Sequence, residues 1–544
     1  MNKAPGRREA WAVTALAALA LALRGPGLER AQVWVDEAAT WWFARLTASG
    51  DLAGQAALEP TPPLYYGLVG WILRLFGDSD AAMRWPSVLF GVAAVPLVYG
   101  LARRLFGAST GRGAGLAAAL VLAVHPLHVF TSREARVYPL LTVLTLALLW
   151  ALWDALDTDR GRSWVAVGAL LTLACYSHFY GLFLGLTVGV LVLVFAPSTR
   201  VRLRGLAAAA AAGVLFAPYL AFTLPHLETS GAAWSVETFY RDQPGERSLL
   251  RVLEGQGIGA LYHPYQRELA RPTTPAAIRG SALAVQGFLL ALILILSFSP
   301  ATGADRGRRR AVAFLLVAWW VPILVPWAIT HGGRAIFQSG RHDLFVLGVG
   351  TLLLGLGFDG LWRVAKGRLG PRLGWAVVAA ALALVLGAAT HRLAWLWTTP
   401  TTTGDRAAAA WLATSTEEGD VVVAMGIRRL VTERYLRLIG SDLRVISFPE
   451  STDQHPGWSD VMTLKDDQKA LHGEAERRTS AWLAGDTNRI ILLLRPYQRT
   501  ETRVSATWLV DRHVIEHLLV AGWRRRPPSD VQAALDIAVF ERSK

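Results

Sequence analysis

Cys175 is the single cysteine of the chain, so no internal disulfide can brace the fold. It lies in an apolar run, which leaves the redox compartment open. Charge is scarce as well. Asp, Glu, Lys and Arg make up 18% of the 544 residues, below the roughly 25% of an ordinary soluble domain. No HExxH or comparably tight metal-ligand spacing is present. The glycine-rich stretch Gly111–Gly115 sits between two apolar runs and not after a strand, which argues against a phosphate loop. No internal repeat of the kind many transporters carry is visible. The apolar runs are almost free of charge in their interiors, where an ion or proton pathway would need ionisable groups.

What the chain does have is hydrophobic length. Apolar residues are 53% of the whole and the mean hydropathy is +0.34, so much of the surface must be solvated by lipid. The 22 tryptophans fit a protein with two membrane interfaces. A net charge of +14 could indicate a nucleic-acid partner. The arginines, however, form short clusters between apolar runs and not one basic stripe, the pattern of cytoplasmic loops; no nucleic acid is expected.

Eleven spans are expected, near residues 10–24, 84–101, 114–130, 137–153, 164–178, 181–196, 206–224, 279–298, 311–330, 343–358 and 373–396. A twelfth apolar run, 64–76, is the main ambiguity, and a bundle of about 11–13 spans is expected. With a cytoplasmic N-terminus and 64–76 lying on the surface, nineteen Lys and Arg fall in cytoplasmic segments. The short outer loops then hold only Arg133, Arg136, Arg334 and Arg341, as the positive-inside rule demands. The run 64–76 therefore reads as an interfacial helix that starts at Pro62-Pro63. Outside lie the loops 25–83 and 225–278 and everything after about 397. Strand-like runs at Val421–Ala424, Leu443–Phe448, Ile490–Leu494 and Leu535–Phe540 alternate with helical patterns, which predicts a small α/β domain over 399–544 behind a membrane domain over 1–398.

The candidate chemistry sits at span ends on the outer side. In VWVDEAATWW, residues 33–42, Asp36 and Glu37 are adjacent acids among apolar neighbours. They serve either as an interfacial helix cap or as a general base raised by desolvation. In HPLHVFTSREARVYPL, residues 125–140, Glu134 lies between Arg133 and Arg136 in a short turn with Tyr138. Planar guanidinium forks suit phosphate oxygens at headgroup depth. YSHFYG places His178 at another outer turn, as a phosphate ligand or as a hydrogen-bonded structural residue. Arg334 and Arg341, in HGGRAIFQSGRHD, stand outside against the charge trend, held by a carrier phosphate or a lipid headgroup. Glu59 is a further outer acid; His226, Trp234 and Glu237 are weaker candidates in the second large loop.

Taken together, the Asp-Glu pair, the stretch PPLYYGLVGWILRLFGDSDAAMRWPSVLFGVAAVPLVYGLARRLFG, HPLHVFTSREARVYPL and YSHFYGLFL resemble the dolichyl- or undecaprenyl-phosphate-mannose–protein mannosyltransferases. They are also similar to the aminoarabinose–lipid A transferases of the same GT-C clan. The resemblance is strongest over about 30–200 and only architectural in the tail. It implies a mainly α, polytopic helical bundle of GT-C type with a small C-terminal α/β extracytoplasmic domain. The implied reaction is an inverting transfer of sugar from a polyprenyl-phosphate donor to a lipid, glycan or protein acceptor. Asp36 matches the catalytic aspartate and Glu134 the second acid. Arg136 and Tyr138 match the family's Arg-x-Tyr, and His178 its Tyr-x-His histidine. Arg341 matches an arginine usually followed by tyrosine, where this chain has His342. Glu37, Arg133 and Glu59 join the expected donor-binding set. Thr61 stands where the family usually has His or Lys before Pro-Pro. No cofactor is required by this reading; whether a divalent cation assists Asp36 and Glu134 is left open. Loop 225–278 is too short for the β-trefoil of eukaryotic members, which favours a bacterial-type enzyme of the plasma (inner) membrane. A non-catalytic assembly factor with a partner-binding tail and a transporter of lipid-linked sugars are the alternatives.

Overall fold

The computed structural model describes residues 6–58, 61–226, 245–258, 276–298, 306–332, 336–337, 339–398, 404–425, 428–448, 468–494 and 506–542. The protein is an integral, polytopic helical membrane protein with an extracytoplasmic C-terminal domain that contains a β-sheet.

Six helices among the described residues are long and apolar enough to cross a bilayer. Two of them are of double length. Helix α5, Asp80–Val124, starts at Ser79, whose hydroxyl caps the Ala82 N–H at 3.0 Å, and breaks at Gly107, where φ is +72°. The break folds the helix into a hairpin whose halves meet at glycine. A Cβ on Gly111 would lie 2.6 Å from the carbonyl oxygen of Ala102. The helix Leu347–Thr398 breaks in the same way at Gly370, with φ +80° and Pro371 opening its second half. The other expected spans fall on shorter helices: α1 (Arg7–Arg24), α8 (Gly161–Ser177) and α9 (Tyr180–Phe195).

Between α1 and α5 the chain forms α2 (Val35–Ser49), α3 (Leu52–Leu58) and α4 (Leu64–Phe76). At thirteen residues, α4 is about 20 Å long, short of the roughly 30 Å hydrocarbon core. It buries Tyr65, Tyr66, Val69 and Leu73 and exposes Trp71, Leu75 and Phe76. Gly70 lets it press on α2, since a Cβ there would sit 2.4 Å from the Ala44 carbonyl oxygen.

On the face opposite Asp36 part of each of several basic clusters is paired with acids. Arg103 pairs with Glu9, Arg104 with Asp154 at 2.9 Å, Arg204 with Asp159 at 2.9 Å and Arg363 with Asp359 at 2.7 Å.

The C-terminal domain carries a five-stranded sheet ordered β2-β1-β3-β5-β4, with β1 Val421–Met425, β2 Val445–Phe448, β3 Arg489–Leu493, β4 Trp523–Arg525 and β5 Ile537–Arg542. The first three strands run parallel; β5 is antiparallel to β3 and β4. Alternation along the strands separates two faces. Val423, Ile490 and Leu492 pack against the helices Gln468–Ala484 and Ala506–Val520. Val422, Ala424, Ile491 and Leu493 face the helices Asp405–Ser415 and Arg428–Leu438, which join the membrane domain's core.

Candidate active site

The site is assembled where three short segments meet: the start of α2, the turn 133–137 between α6 (Pro126–Ser132) and α7 (Tyr138–Thr158), and residues 339–343. Trp34 is the N-cap of α2 in extended conformation and gives no side-chain cap. The two acids of the first turn instead lie where the helix dipole favours negative charge. Both are buried, with 1% of each exposed, yet their partners differ completely.

Asp36 is held by two arginines through one oxygen. Arg341 Nη2 donates to Oδ2 at 2.8 Å, and Arg136 Nη2 lies 3.3 Å from the same atom. Arg136 also donates from Nη1 to the Asp36 carbonyl at 3.2 Å. The second carboxylate oxygen, Oδ1, is buried and has no protein hydrogen-bond partner, and neither has Nε of Arg136. Arg341 is itself fixed by Nε, which donates to the Tyr138 hydroxyl at 2.7 Å. A buried carboxylate is tolerated only where its charge is compensated, and the two guanidiniums do this while leaving one oxygen available.

Glu37 is engaged on both oxygens. Arg84, on the second turn of α5, donates to it from Nε at 2.7 Å and from Nη2 at 2.6 Å, and the Ala135 N–H adds a third bond at 2.9 Å. The remaining donors of Arg84 cap the carbonyls of Leu28, Ala31 and Gln32. Glu37 therefore ties the 133–137 turn to α2, and Arg84 ties both to α5. Glu134 lies in that same turn. Burial, and beyond it the charges of Glu37 and Asp36, pushes its carboxyl well above the usual range.

His178 ends α8 and accepts from the Tyr180 N–H at 3.1 Å through Nδ1. Its ring lies 6.1 Å from those of Tyr138 and His342, and His342 stacks on Tyr180 at 4.8 Å. Arg133 lies in the same turn but reaches elsewhere. It donates to the carbonyls of Arg24 at 2.9 Å and Pro26 at 2.8 Å and stands 4.5 Å over the Trp397 ring. Glu59, Arg334, Trp234 and Glu237 lie outside the described residues. His226 sits in a short helical turn with its ring 5.9 Å from Phe222. Among the described residues, no group of three His, Cys, Asp or Glu is arranged to hold a metal ion.

Several participants have no place in a motif-based reading. Arg84 is one, although a cation at the mouth of an apolar run is itself a signal. Gln256 is another. On the helix Gly245–Ile258, it donates to the Asp343 carbonyl at 2.7 Å and accepts from Trp319 at 3.3 Å, while its own carbonyl meets His125 at 3.3 Å. It docks the second outer loop against the 339–343 segment.

This arrangement offers a buried carboxylate with one uncommitted oxygen beside a guanidinium with an uncommitted N–H. Residues 60–226 match the family model of dolichyl-phosphate-mannose-protein mannosyltransferases. The whole chain superimposes on ArnT from Cupriavidus metallidurans in the apo state with a TM-score of 0.61, at 14% identity, covering 98% of each chain. The chain has the GT-C glycosyltransferase fold. Its likeness to the undecaprenyl-phosphate-bound form of ArnT gives a TM-score of 0.58 at 15% identity, again over 98% of each chain. The archaeal oligosaccharyltransferase AglB from Archaeoglobus fulgidus follows with a TM-score of 0.53 at 13% identity, covering 99% of this chain and 74% of that one. No curated protein matches the chain.

Proposed function

We propose that this chain is a membrane glycosyltransferase that moves a sugar from a polyprenyl-phosphate carrier to a hydroxyl-bearing lipid, glycan or protein at the extracytoplasmic face. The observation that carries the reading is the asymmetry of Asp36: Oδ2 is bound by two arginines and Oδ1 by no protein group. In the proposed step the acceptor oxygen attacks the anomeric carbon and its proton passes to Asp36 Oδ1. The bond from that carbon to the phosphate oxygen breaks on the opposite face, so the configuration inverts and polyprenyl phosphate leaves. Arg136, with its free Nε, and Arg341 would stabilise the charge on the departing phosphate. His178 and Tyr138 would shape the donor side, and Glu134, held towards its acid form, would hydrogen-bond sugar or phosphate. The basic clusters support a cytoplasmic N-terminus, and the short loop 225–278 supports a bacterial-type enzyme of the plasma (inner) membrane.

The test uses Asp36→Asn in lipid nanodiscs with undecaprenyl-phosphate-mannose as donor. Transfer should fall by about 10²–10⁴-fold, the usual contribution of a general base, while binding of undecaprenyl phosphate persists. Unchanged transfer would remove Asp36 from the role of base. A lipid-linked-sugar transporter or a non-catalytic assembly factor would keep its function through this substitution. Mass spectrometry of glycans and lipids from a deletion strain would name the sugar and the acceptor.

A further inference from the structure

The tail domain is anchored to the membrane domain by a buried ionic joint. Asp80, the first residue of α5, is 1% exposed, and Arg434 of the tail is 0% exposed. Arg434 donates to Asp80 Oδ1 from Nη2 at 2.8 Å and from Nε at 3.1 Å, and to Asp78 from Nη1 at 2.8 Å. The other oxygen of Asp80 accepts from Arg406 at 2.8 Å and from the Tyr435 hydroxyl at 3.2 Å. That hydroxyl in turn accepts the Val33 N–H at 2.7 Å. Asp78 completes the joint by accepting from Trp41 Nε1 at 2.8 Å, with the Arg434 guanidinium 5.3 Å from the same indole.

Two facts make this more than a fastening. Val33 stands three residues before Asp36, in the extended segment that enters α2, and its N–H cannot join the helical ladder that starts further on. Asp80 and Arg84 stand one helical turn apart on one face of α5. Arg84 grips Glu37 directly, and Asp80 grips Val33 through Tyr435. The segment Val33–Glu37 is thus clamped at both ends from one turn of α5, and one of the two clamps is completed by the tail.

We infer that Tyr435, with Arg434 behind it, is a positioning residue for Asp36, so that the C-terminal domain forms part of the catalytic unit. Its kinetic consequence rests on the glycosyltransferase reading; its structural consequence does not. The tail is joined through the helices Asp405–Ser415 and Arg428–Leu438, and Tyr435 is the element of the joint that bonds the backbone leading to the base. Loss of its hydroxyl leaves the Arg434–Asp80 and Arg406–Asp80 pairs to hold the domain. The segment is then released without detaching the tail.

The experiment uses the full-length chain in nanodiscs carrying Tyr435→Phe, with Tyr435→Leu as a second variant that removes the same acceptor of the Val33 N–H while the Asp80 pairs with Arg434 and Arg406 stay in place. Two quantities are read: amide hydrogen exchange of the peptide covering 28–41, and kcat and KM with undecaprenyl-phosphate-mannose. Exchange of that peptide should rise several-fold, by about the factor that loss of one hydrogen bond allows. kcat should fall about tenfold with donor KM changed less than about twofold, as expected when a base is displaced and binding is kept. Unaltered exchange in a folded variant overturns the clamp, and raised exchange with unaltered kcat overturns the positioning role. A wild-type protein that transfers no sugar defeats the glycosyltransferase reading instead, and the exchange measurement still decides the clamp. Should one variant fail to fold, the other gives the same two readings.

Discussion

Arg341 joins Asp36 and Tyr138 with one planar group, donating from Nη2 to the carboxylate at 2.8 Å and from Nε to the phenol at 2.7 Å. The two bonds leave the guanidinium in divergent directions that a single ammonium cannot reproduce. They also bring together residues 305 apart in the sequence, so the 339–343 segment takes part in orienting Asp36.

Arg341→Lys should therefore cost more than the loss of one hydrogen bond. We expect kcat/KM for transfer to fall about 10–100-fold, corresponding to roughly 1.4–2.7 kcal/mol of transition-state stabilisation. Tyr138→Phe should cost less, because Arg341 keeps its bond to Asp36. Steady-state kinetics on the two variants settle the order, and equal losses would show that the phenol is needed in its own right.

Glu37 and Arg84 form a buried pair with 1% and 2% of their side chains exposed. Glu37→Gln keeps an acceptor for the Ala135 N–H but leaves the Arg84 charge uncompensated. Destabilisation of about 3–5 kcal/mol is expected, the usual result of breaking a buried pair from one side. It should be read as a lowered unfolding temperature in nanodiscs. A loss of activity with unchanged thermal stability would assign Glu37 to the chemistry.

Glu134 supplies the pH prediction. Its carboxyl is raised well above 4.5 in the folded protein, by burial and then by Glu37 and Asp36. The folded state thus binds this proton more tightly than the unfolded chain does. The associated stability is fully present below pH 4.5 and is lost as pH climbs from there through the folded value. Wild type should lose unfolding temperature across that interval relative to Glu134→Gln, which holds the neutral form at every pH. A constant difference between the two proteins would contradict the shift.

The fold was legible because its strongest determinant is one-dimensional. Apolar length and the sidedness of arginine are both written along the chain, and the paired acids Glu9, Asp154 and Asp159 lie where the basic clusters are. The sheet was legible in four of its five strands. β4 escaped because Trp523–Arg525 is three residues long and has two arginines, with no apolar alternation to announce it. The two hairpin turns were legible as the basic stretches between the runs 84–101 and 114–130 and between 343–358 and 373–396, and the structure makes them at Gly107 and Gly370, both at positive φ.

The candidate site was legible where chemistry is concentrated in a motif. Asp36, Arg136, Tyr138 and Arg341 were singled out from sequence, and the structure brings them into direct contact. Division of labour between neighbours was not legible. Asp36 and Glu37 are adjacent acids in equal burial, and only the third dimension gives one of them to Arg84. Arg133 and Arg136 are separated in the same way, one bonding the backbone at the end of α1 and the other Asp36. Asp80, Arg434 and Tyr435 belong to no shared motif, since their meeting depends on how the tail docks.

That docking orders events during synthesis. Asp80 leaves the ribosome 354 residues ahead of Arg434, an interval of about 20–70 s at roughly 5–20 residues per second. Throughout it the aspartate and the Val33 amide must remain hydrated or shielded by something other than their final partner. A nascent chain released before residue 435 would carry every described membrane helix and both acids, yet have an unfastened entrance to α2. Quality control that recognises such an opening would detect incomplete products at the segment that carries Asp36.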